Sequence, residues 1–294
     1  MIFHTQTLMK MTRLNMFFKK IKYLTMKYTA ILLLSGLVIF TSCKKNENKE
    51  GKSTWLPDVT NKDHGSLKQK EFKGDFNEIE VSQAIEAEII KSDVERVVIS
   101  APANIIDEVL VDNNGGELHI HYKTGVRVMN TNNVKAKIYA KDFKKLEANS
   151  AAIIIVRDQF TQEKTDVEIS SAAHISGKLE ANDLDIDAGS SATFKGQIWA
   201  VNLNIEASSA ADVTISGKTK NANLTSSSGS GISAKDVVAE NVKAEASSGA
   251  SVEIGVSSKF EGHASSGGSV KGIKKGNVTT VTKEESSGGS VDIQ

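Results

Sequence analysis

Two histidines spaced two residues apart, His119 and His121, are the first place in this chain where chemistry could be sought. On a strand, residues i and i+2 share a face, so both imidazoles would project together at a separation that suits one metal ion. No cysteine or third histidine accompanies them in sequence, and they alternate with Leu118, Ile120 and Tyr122, the pattern of a strand's solvent side. His174 and His263 stand alone and read as surface residues. Asp185, Asp187 and Asp212 come nearest to the clustered carboxylates that glycan cleavage or an acidic metal site would need. Asp185 and Asp187 flank Ile186 and so share a face, and Asp212 follows one repeat later. Lysine, glutamate and asparagine fill comparable outward positions elsewhere, as on a solvated face. The chain shows no nucleophile elbow, phosphate loop, zinc spacing or dinucleotide fingerprint. The sequence therefore argues against an enzyme and calls for no catalytic residue, metal or cofactor. Trp199 has the chemistry of a carbohydrate platform, but a packing role fits it better, and Trp55 is placed to pack on the domain or touch lipid.

The single cysteine has a more specific setting. Lys27 is followed by Tyr28-Thr29-Ala30 and an apolar run from Ile31 to Phe40, about the length of a signal-peptide core. That run is too short to span a bilayer comfortably. Thr41-Ser42-Cys43 closes it with small residues, an arrangement that resembles the lipobox of bacterial lipoproteins, although Phe40 stands where leucine is commoner. The resemblance implies that Cys43 is acylated and becomes the mature N-terminus, tethering the protein to a membrane through acyl chains. A start at Met26 would give a compact signal, which makes residues 1–25 a candidate start-site extension. Residues 44–71 open with a polar stretch nearly free of apolar side chains and read as a flexible tether.

Composition narrows the partners. One cysteine and two prolines among 294 residues exclude a disulfide scaffold and a collagen. Lysine plus arginine and aspartate plus glutamate balance at 36 each, but six of the basic residues lie in 1–43. Without that segment 30 basic and 36 acidic residues remain, a net of −6, which disfavours nucleic acid.

What must position any functional residue is a repeat. Eight small-residue cassettes fill the second half of the chain: 149–152, 170–173, 189–192, 208–211, 227–230, 247–250, 265–268 and 286–289. The apolar residues just after them, Ile154, Ile175, Phe194, Val213, Ile232, Val252, Val270 and Val291, are spaced 21, 19, 19, 19, 20, 18 and 21 residues apart. Self-similarity at such a period marks stacked units, none of which can bury its apolar face alone. Between cassettes apolar residues alternate with polar ones, as in Leu203-Asn204-Ile205-Glu206, so each coil carries two or three short strands. Successive coils pair in parallel, with glycine supplying positive φ at the bends. Serine hydroxyls there are free to bond to one another or to backbone groups.

Ahead of the cassettes, period-two stretches at Phe76–Val81, Ala84–Ile90, Val97–Ile99, Leu118–Tyr122 and Val134–Tyr139 predict further strands, separated by turn signals such as Asp112-Asn113-Asn114-Gly115-Gly116. Residues 105–111 suit a strand better than a helical turn. The order Phe76, Ile79, Val81, then Val97 to Ile99, Gly115-Gly116-Glu117-Leu118, Val134 to Leu146 and the cassettes resembles the bacterial auto-transporter adhesin, head GIN domain family, whose function is unknown. The likeness covers roughly residues 72–293 and implies a β-helix-like stack.

The chain is thus expected to be all-β: a parallel β-solenoid of about 20 residues per coil over 146–294, preceded by a β-rich part over 72–145, a tether over 44–71 and a signal over 1–43. The expected function is a lipid-anchored envelope module for binding or adhesion, on the outer membrane of a Gram-negative bacterium. A structural or scaffolding envelope lipoprotein is the alternative, and a polysaccharide-active enzyme a lesser one. Its partners would be the membrane through Cys43 and a glycan or an envelope protein, with no nucleic acid. The final strand, Val291-Asp292-Ile293, offers an edge for a homo-oligomer, with Lys271, Lys274, Lys275, Lys283, Glu284 and Glu285 placed to guard it.

Overall fold

The apolar residues that set the sequence period form one column in space. In the computed structural model, which describes residues 65–126 and 133–294, Ile154, Ile175, Phe194, Val213, Ile232, Val252, Val270 and Val291 are partners in successive parallel ladders, and all are buried. Cys43, the apolar run before it and Trp55 lie outside the described residues. The described residues belong to one unit, Thr54–Gln294. It is an all-β solenoid of about eight turns with about 19 residues per turn.

Each coil is one long, bent strand followed by a four-residue corner. These are β9 (Ile153–Ile169), β10 (His174–Ala188), β11 (Thr193–Ala207), β12 (Asp212–Ser226), β13 (Gly231–Ala246) and β14 (Ser251–Ala264). The last coil is split into β15 (Ser269–Lys274), β16 (Thr280–Glu285) and β17 (Ser290–Ile293), with β15 and β16 both lying on β14 and β17 on β15. The bends within strands demand close backbone approach. Gly177 (φ 144°) and Gly217 (φ 127°) pass so near the preceding coil that a Cβ would sit 2.5 Å from the Val156 carbonyl oxygen and 1.9 Å from that of Ile198. Only glycine fits there.

The front of the unit is built differently. β1 (Leu67–Lys73), β2 (Glu78–Val81), β3 (Glu86–Lys91) and β4 (Arg96–Pro102) precede a 3₁₀ turn at Ile106–Glu108, and β5 (Val109–Asn114), β6 (Glu117–Tyr122), β7 (Lys135–Ala140) and β8 (Lys145–Ala148) follow it. β2 and β3 make a coil that pairs in parallel with β8 and β9, and β6 and β7 pair in parallel with β2 and β3 in turn. Antiparallel strands then finish the stack: β5 on β6, and β4 on β7 with β1 outermost. The stretch 105–111 combines both local options, a helical turn followed by a strand. β1 begins at Leu67, ahead of residue 72, where the β-rich part was expected to start.

The corners correct one expectation. Glycine was expected to supply the positive φ, yet among the described residues fourteen other than glycine adopt it, and each of these lies at a corner. In each corner two consecutive residues have φ near +48° to +76°, for example Ser171 (53°) and Ala172 (60°), or Ser248 (53°) and Gly249 (72°). The N–H of the fourth residue donates to the carbonyl of the first at 2.8–3.4 Å, so each corner is a two-residue turn of the I′ class. The second turn residue then donates its N–H to the carbonyl of the first turn residue one coil on: Ala151 to Ser171, Ala172 to Ser190, Ser191 to Ser209 and so through Gly267 to Ser287, at 2.9–3.3 Å. A ninth corner that the cassette pattern does not show, Ser82-Gln83-Ala84-Ile85, starts the ladder with Ala84 donating to Ser150 at 2.8 Å. The bonds that align the corners therefore come from the backbone. Serine hydroxyls do bond inside the wall at one place, where the buried Ser226 and Ser230 meet at 2.8 Å in columns otherwise rich in alanine.

At the C-terminal edge the chain's own side chains meet the backbone of Val291. Ser290 and Gln294 donate their N–H groups to Gly268 and Gly272, so by the alternation of a parallel ladder the N–H and C=O of Val291 face the free edge. Lys283 Nζ donates to the Val291 carbonyl at 3.1 Å, and the Val291 N–H donates to Glu285 Oε1 at 2.6 Å. Lys283 and Glu285 occupy inward positions, beside Gly262 and Ala264 of the coil before, that hold leucine, isoleucine, alanine and other small residues further up. Inward charges on a terminal strand oppose pairing with another chain.

Two outcomes follow. Because Ala172 is exposed and αL costs a residue other than glycine about 1–2 kcal/mol, Ala172→Gly should hold or raise the midpoint of thermal unfolding. Ala172→Val, β-branched at positive φ, should lower stability by about 1–2 kcal/mol in a denaturant titration; equal stability of the two variants contradicts the turn assignment. Replacing both guards (Lys283→Val with Glu285→Val) should make the protein self-associate in size-exclusion chromatography with light scattering. A variant that matches the wild-type mass at every concentration argues against the guard role.

Candidate ligand-binding face

Outward side chains on the return limb of each coil fall into three columns that run along the solenoid axis. The first contains Lys164, Asp183, Asn202, Asn221, Asn241, Lys259 and Thr280. The second, two residues on, contains Lys145, Asp166, Asp185, Asn204, Asn223, Lys243, Glu261 and Thr282. The third is mostly acidic: Glu80, Glu147, Glu168, Asp187, Glu206, Thr225, Glu245, His263 and Glu284. Between buried Leu203, Val242 and Phe260 these positions alternate outward as period two requires.

The first two columns line an open groove of about 890 Å³ that extends from Lys164 and Asp183 to Thr280 and Thr282. Its middle is uncharged. Asn202 Nδ2 donates to Asp183 Oδ1 at 2.7 Å, Asn221 to Asn202 at 2.9 Å and Asn241 to Asn221 at 2.9 Å, while Asn223 donates to Asn204 at 2.9 Å. Two of the three lysines at the margins are paired, Lys164 with Asp166 at 2.9 Å and Asp185 at 3.5 Å, and Lys243 with Glu245 at 2.8 Å, while Lys259 has no ion pair among the described residues. The aspartate trio does not assemble. Asp185 and Asp187 lie in neighbouring columns of this limb, whereas Asp212 opens β12 beyond the corner, where Thr214 donates to it at 3.3 Å. Trp199 is likewise outward, 44% exposed between Glu180 and Lys218, with Ile198 and Ala200 taking the inward places. The packing role expected for it is thus overturned.

His119 and His121 do share a face. Their rings stack with centroids 4.1 Å apart, but each is turned to its own carboxylate: His119 Nε2 lies 3.3 Å from Glu80 and 3.1 Å from Ser82 Oγ, and His121 Nε2 lies 3.0 Å from Asp112. Burial pushes the His119 imidazole below its ordinary value against the pull of Glu80. Burial and Lys195 do the same to His174. His263 is the opposite case, held between Glu261 at 2.8 Å and Glu284 at 3.0 Å, and the hydrogen bond to Glu261 leads in raising its pKa above the ordinary 6.5. Among the described residues no group of three or more histidine, cysteine, aspartate or glutamate side chains is arranged to hold a metal ion. Cys43 lies outside them.

The asparagine columns were missed by reasoning from motifs for catalysis and metal binding. Their signal was available in Asn202-Leu203-Asn204 and Asn221-Ala222-Asn223, which stand one repeat apart.

The family described as "Putative auto-transporter adhesin, head GIN domain" matches residues 75–197 and 182–276. The chain belongs to this family. No curated protein sequence matches it. Among solved structures, this adhesin-family chain is similar to a putative adhesin from Parabacteroides merdae (TM-score 0.68, 18% identity, 78% of this chain and 97% of that one). It is similar also to a putative adhesin from Parabacteroides distasonis (TM-score 0.69, 17% identity, 79% and 98%) and to a protein from the same species described as a putative lipid binding protein (TM-score 0.67, 17% identity, 78% and 97%). At these identities the likeness is one of fold. Among the described residues no helix is long and apolar enough to cross a membrane.

The His263 clamp makes a pH-dependent contribution. A raised folded-state pKa stabilises fully below the unfolded value of about 6.5 and is lost as pH rises through the folded value. Wild type should therefore exceed His263→Gln in unfolding midpoint at mildly acid pH, with the gap closing as pH rises and shrinking in high salt. A gap independent of pH removes the clamp from the explanation.

Proposed function

We propose that this family member is a lipid-anchored, non-catalytic binding or adhesion module of a bacterial cell envelope, held on the outer membrane of a Gram-negative organism through Cys43. The observation that carries this reading is the long polar groove on a rigid lateral face. It is open, runs over several coils and is walled by asparagines bonded to one another, whereas catalytic sites concentrate a few converging groups in an enclosed, water-excluding pocket. A solenoid exposes such a surface along its whole length, and an acylated tether would hold that surface away from the membrane. The adhesin family supports a role at the surface or envelope. A neighbouring structure described as a lipid binding protein raises an apolar ligand, but the apolar floor of Leu203, Ala222, Val242 and Phe260 is almost fully buried between walls of carboxamides, so an acyl chain would cover polar groups for little new apolar contact.

Native protein extracted from membranes should yield an acylated N-terminal peptide beginning at Cys43, and incubation with polysaccharides, with and without divalent metal, should release no product. Recovery of unmodified residues 1–43 would remove the anchor from this reading, and steady turnover would remove its non-catalytic character.

A further inference from the structure

We infer that the asparagine columns form a binding subsite for a neutral, linear polysaccharide lying along the solenoid axis. This deepens the binding-module reading and rests on it. A carboxamide offers two N–H donors and a carbonyl with two lone pairs. In the ladder from Asn241 through Asn221 and Asn202 to Asp183, each asparagine spends one donor on its neighbour, and Asn202 and Asn221 each spend one acceptor position as well. Asn223 and Asn204 are joined in the same way. Each amide is thus fixed in place by its partners and keeps hydrogen-bonding capacity for a ligand, so little rotamer freedom remains to be lost on binding.

The chemistry of that remaining capacity selects the ligand. Donor and acceptor side by side, without net charge, match hydroxyl groups, which are themselves both donor and acceptor. An anionic polymer would look for free cations; of the three lysines that line the groove Lys164 and Lys243 are already paired with carboxylates, Lys259 alone carries no ion pair among the described residues, and the neighbouring column is acidic. The repeat selects a polymer. Equivalent amides return on three successive coils, about 4.8 Å apart, so a chain of similar units meets similar partners at each step. Across the bend at Val201, on the adjoining face, the exposed ring of Trp199 adds an apolar plane with a polar edge, suited to a sugar's mixed surface.

Calorimetric titration of the mature protein with pullulan, cereal mixed-linkage β-glucan and glucomannan as neutral, linear polymers, and with alginate and heparin as acidic ones, tests this. At least one neutral polymer should bind, and Asn221→Ala with Asn223→Ala should weaken it about tenfold or more, the scale of one or two hydrogen bonds, with the thermal midpoint monitored in parallel. Asn204→Ala, at the end of the shorter ladder, serves as a second variant should the double change unfold the coil, and it should weaken the same polymer. Silence towards all three neutral polymers, binding confined to the acidic ones, or full affinity in a folded variant each overturns the subsite. None of these results touches the anchoring at Cys43 or the absence of turnover, which fail by their own measurements.

Discussion

The parallel stacking of coils depends on how each corner is tied to the next. At every turn two consecutive residues are forced into the left-handed region, and the N–H so turned outward has its acceptor only on the neighbouring coil. A corner displaced by one residue would lose that bond and turn its strand's apolar side chains to solvent, because side-chain direction reverses at each step of a strand. The same geometry explains the cassette composition. Large or β-branched side chains are strained at positive φ, while small ones such as serine and alanine are tolerated at lower cost and glycine at the least. Small residues are there because of the turn's dihedrals as much as because of crowding.

Once corners fix the register, the outer surface inherits it. Every outward position becomes a column whose members are neighbours across coils, so any residue type that recurs at the repeat interval becomes a continuous strip. In this chain the strips differ. One is largely acidic and relieved by Lys145, which meets both Glu147 and Glu168 at 3.0 Å, and by His263. Two others become uncharged in the middle of the solenoid, where the asparagines bond along the axis. A surface of this kind is rigid because its frame is a backbone ladder, and that rigidity suits recognition of an extended ligand better than the closing motions of an enclosed site.

Much of this was legible from spacing alone. Eight corners, the interior column from Ile154 to Val291 and the parallel pairing all follow from the cassette interval. The corner at Gln83-Ala84 was not legible, because its partner coil lies some 67 residues away in sequence, between Ala87 and Ile154, and its turn residues are not the serine-glycine type. The antiparallel strands β1, β4 and β5 obey no repeat, and alternation within a strand is silent about direction. Trp199 was misjudged because large aromatic residues usually serve packing, whereas its neighbours Ile198 and Ala200 had already claimed the inward positions. The asparagines looked inert singly. Their meaning arises only when the coils are superimposed.

The two ends of such a stack face the same physical problem and solve it differently. A solenoid's stability is a sum over contacts between neighbouring coils, so its terminal coils have a partner on one side only. At the front, β4 and β5 run antiparallel to the coils they cover, β1 lies outermost on β4, and between them they close over Ile99, Ile138 and Ile120. At the back, the inward positions that held apolar side chains become Lys283 and Glu285, which satisfy the backbone of Val291 directly. Charges at those places forgo part of a coil's apolar burial, and the return is an edge whose Val291 donor and acceptor are already occupied. With the Val291 donor and acceptor held in this way, the continuous strips of the repeat lie on the lateral faces, where residues of neighbouring coils come together.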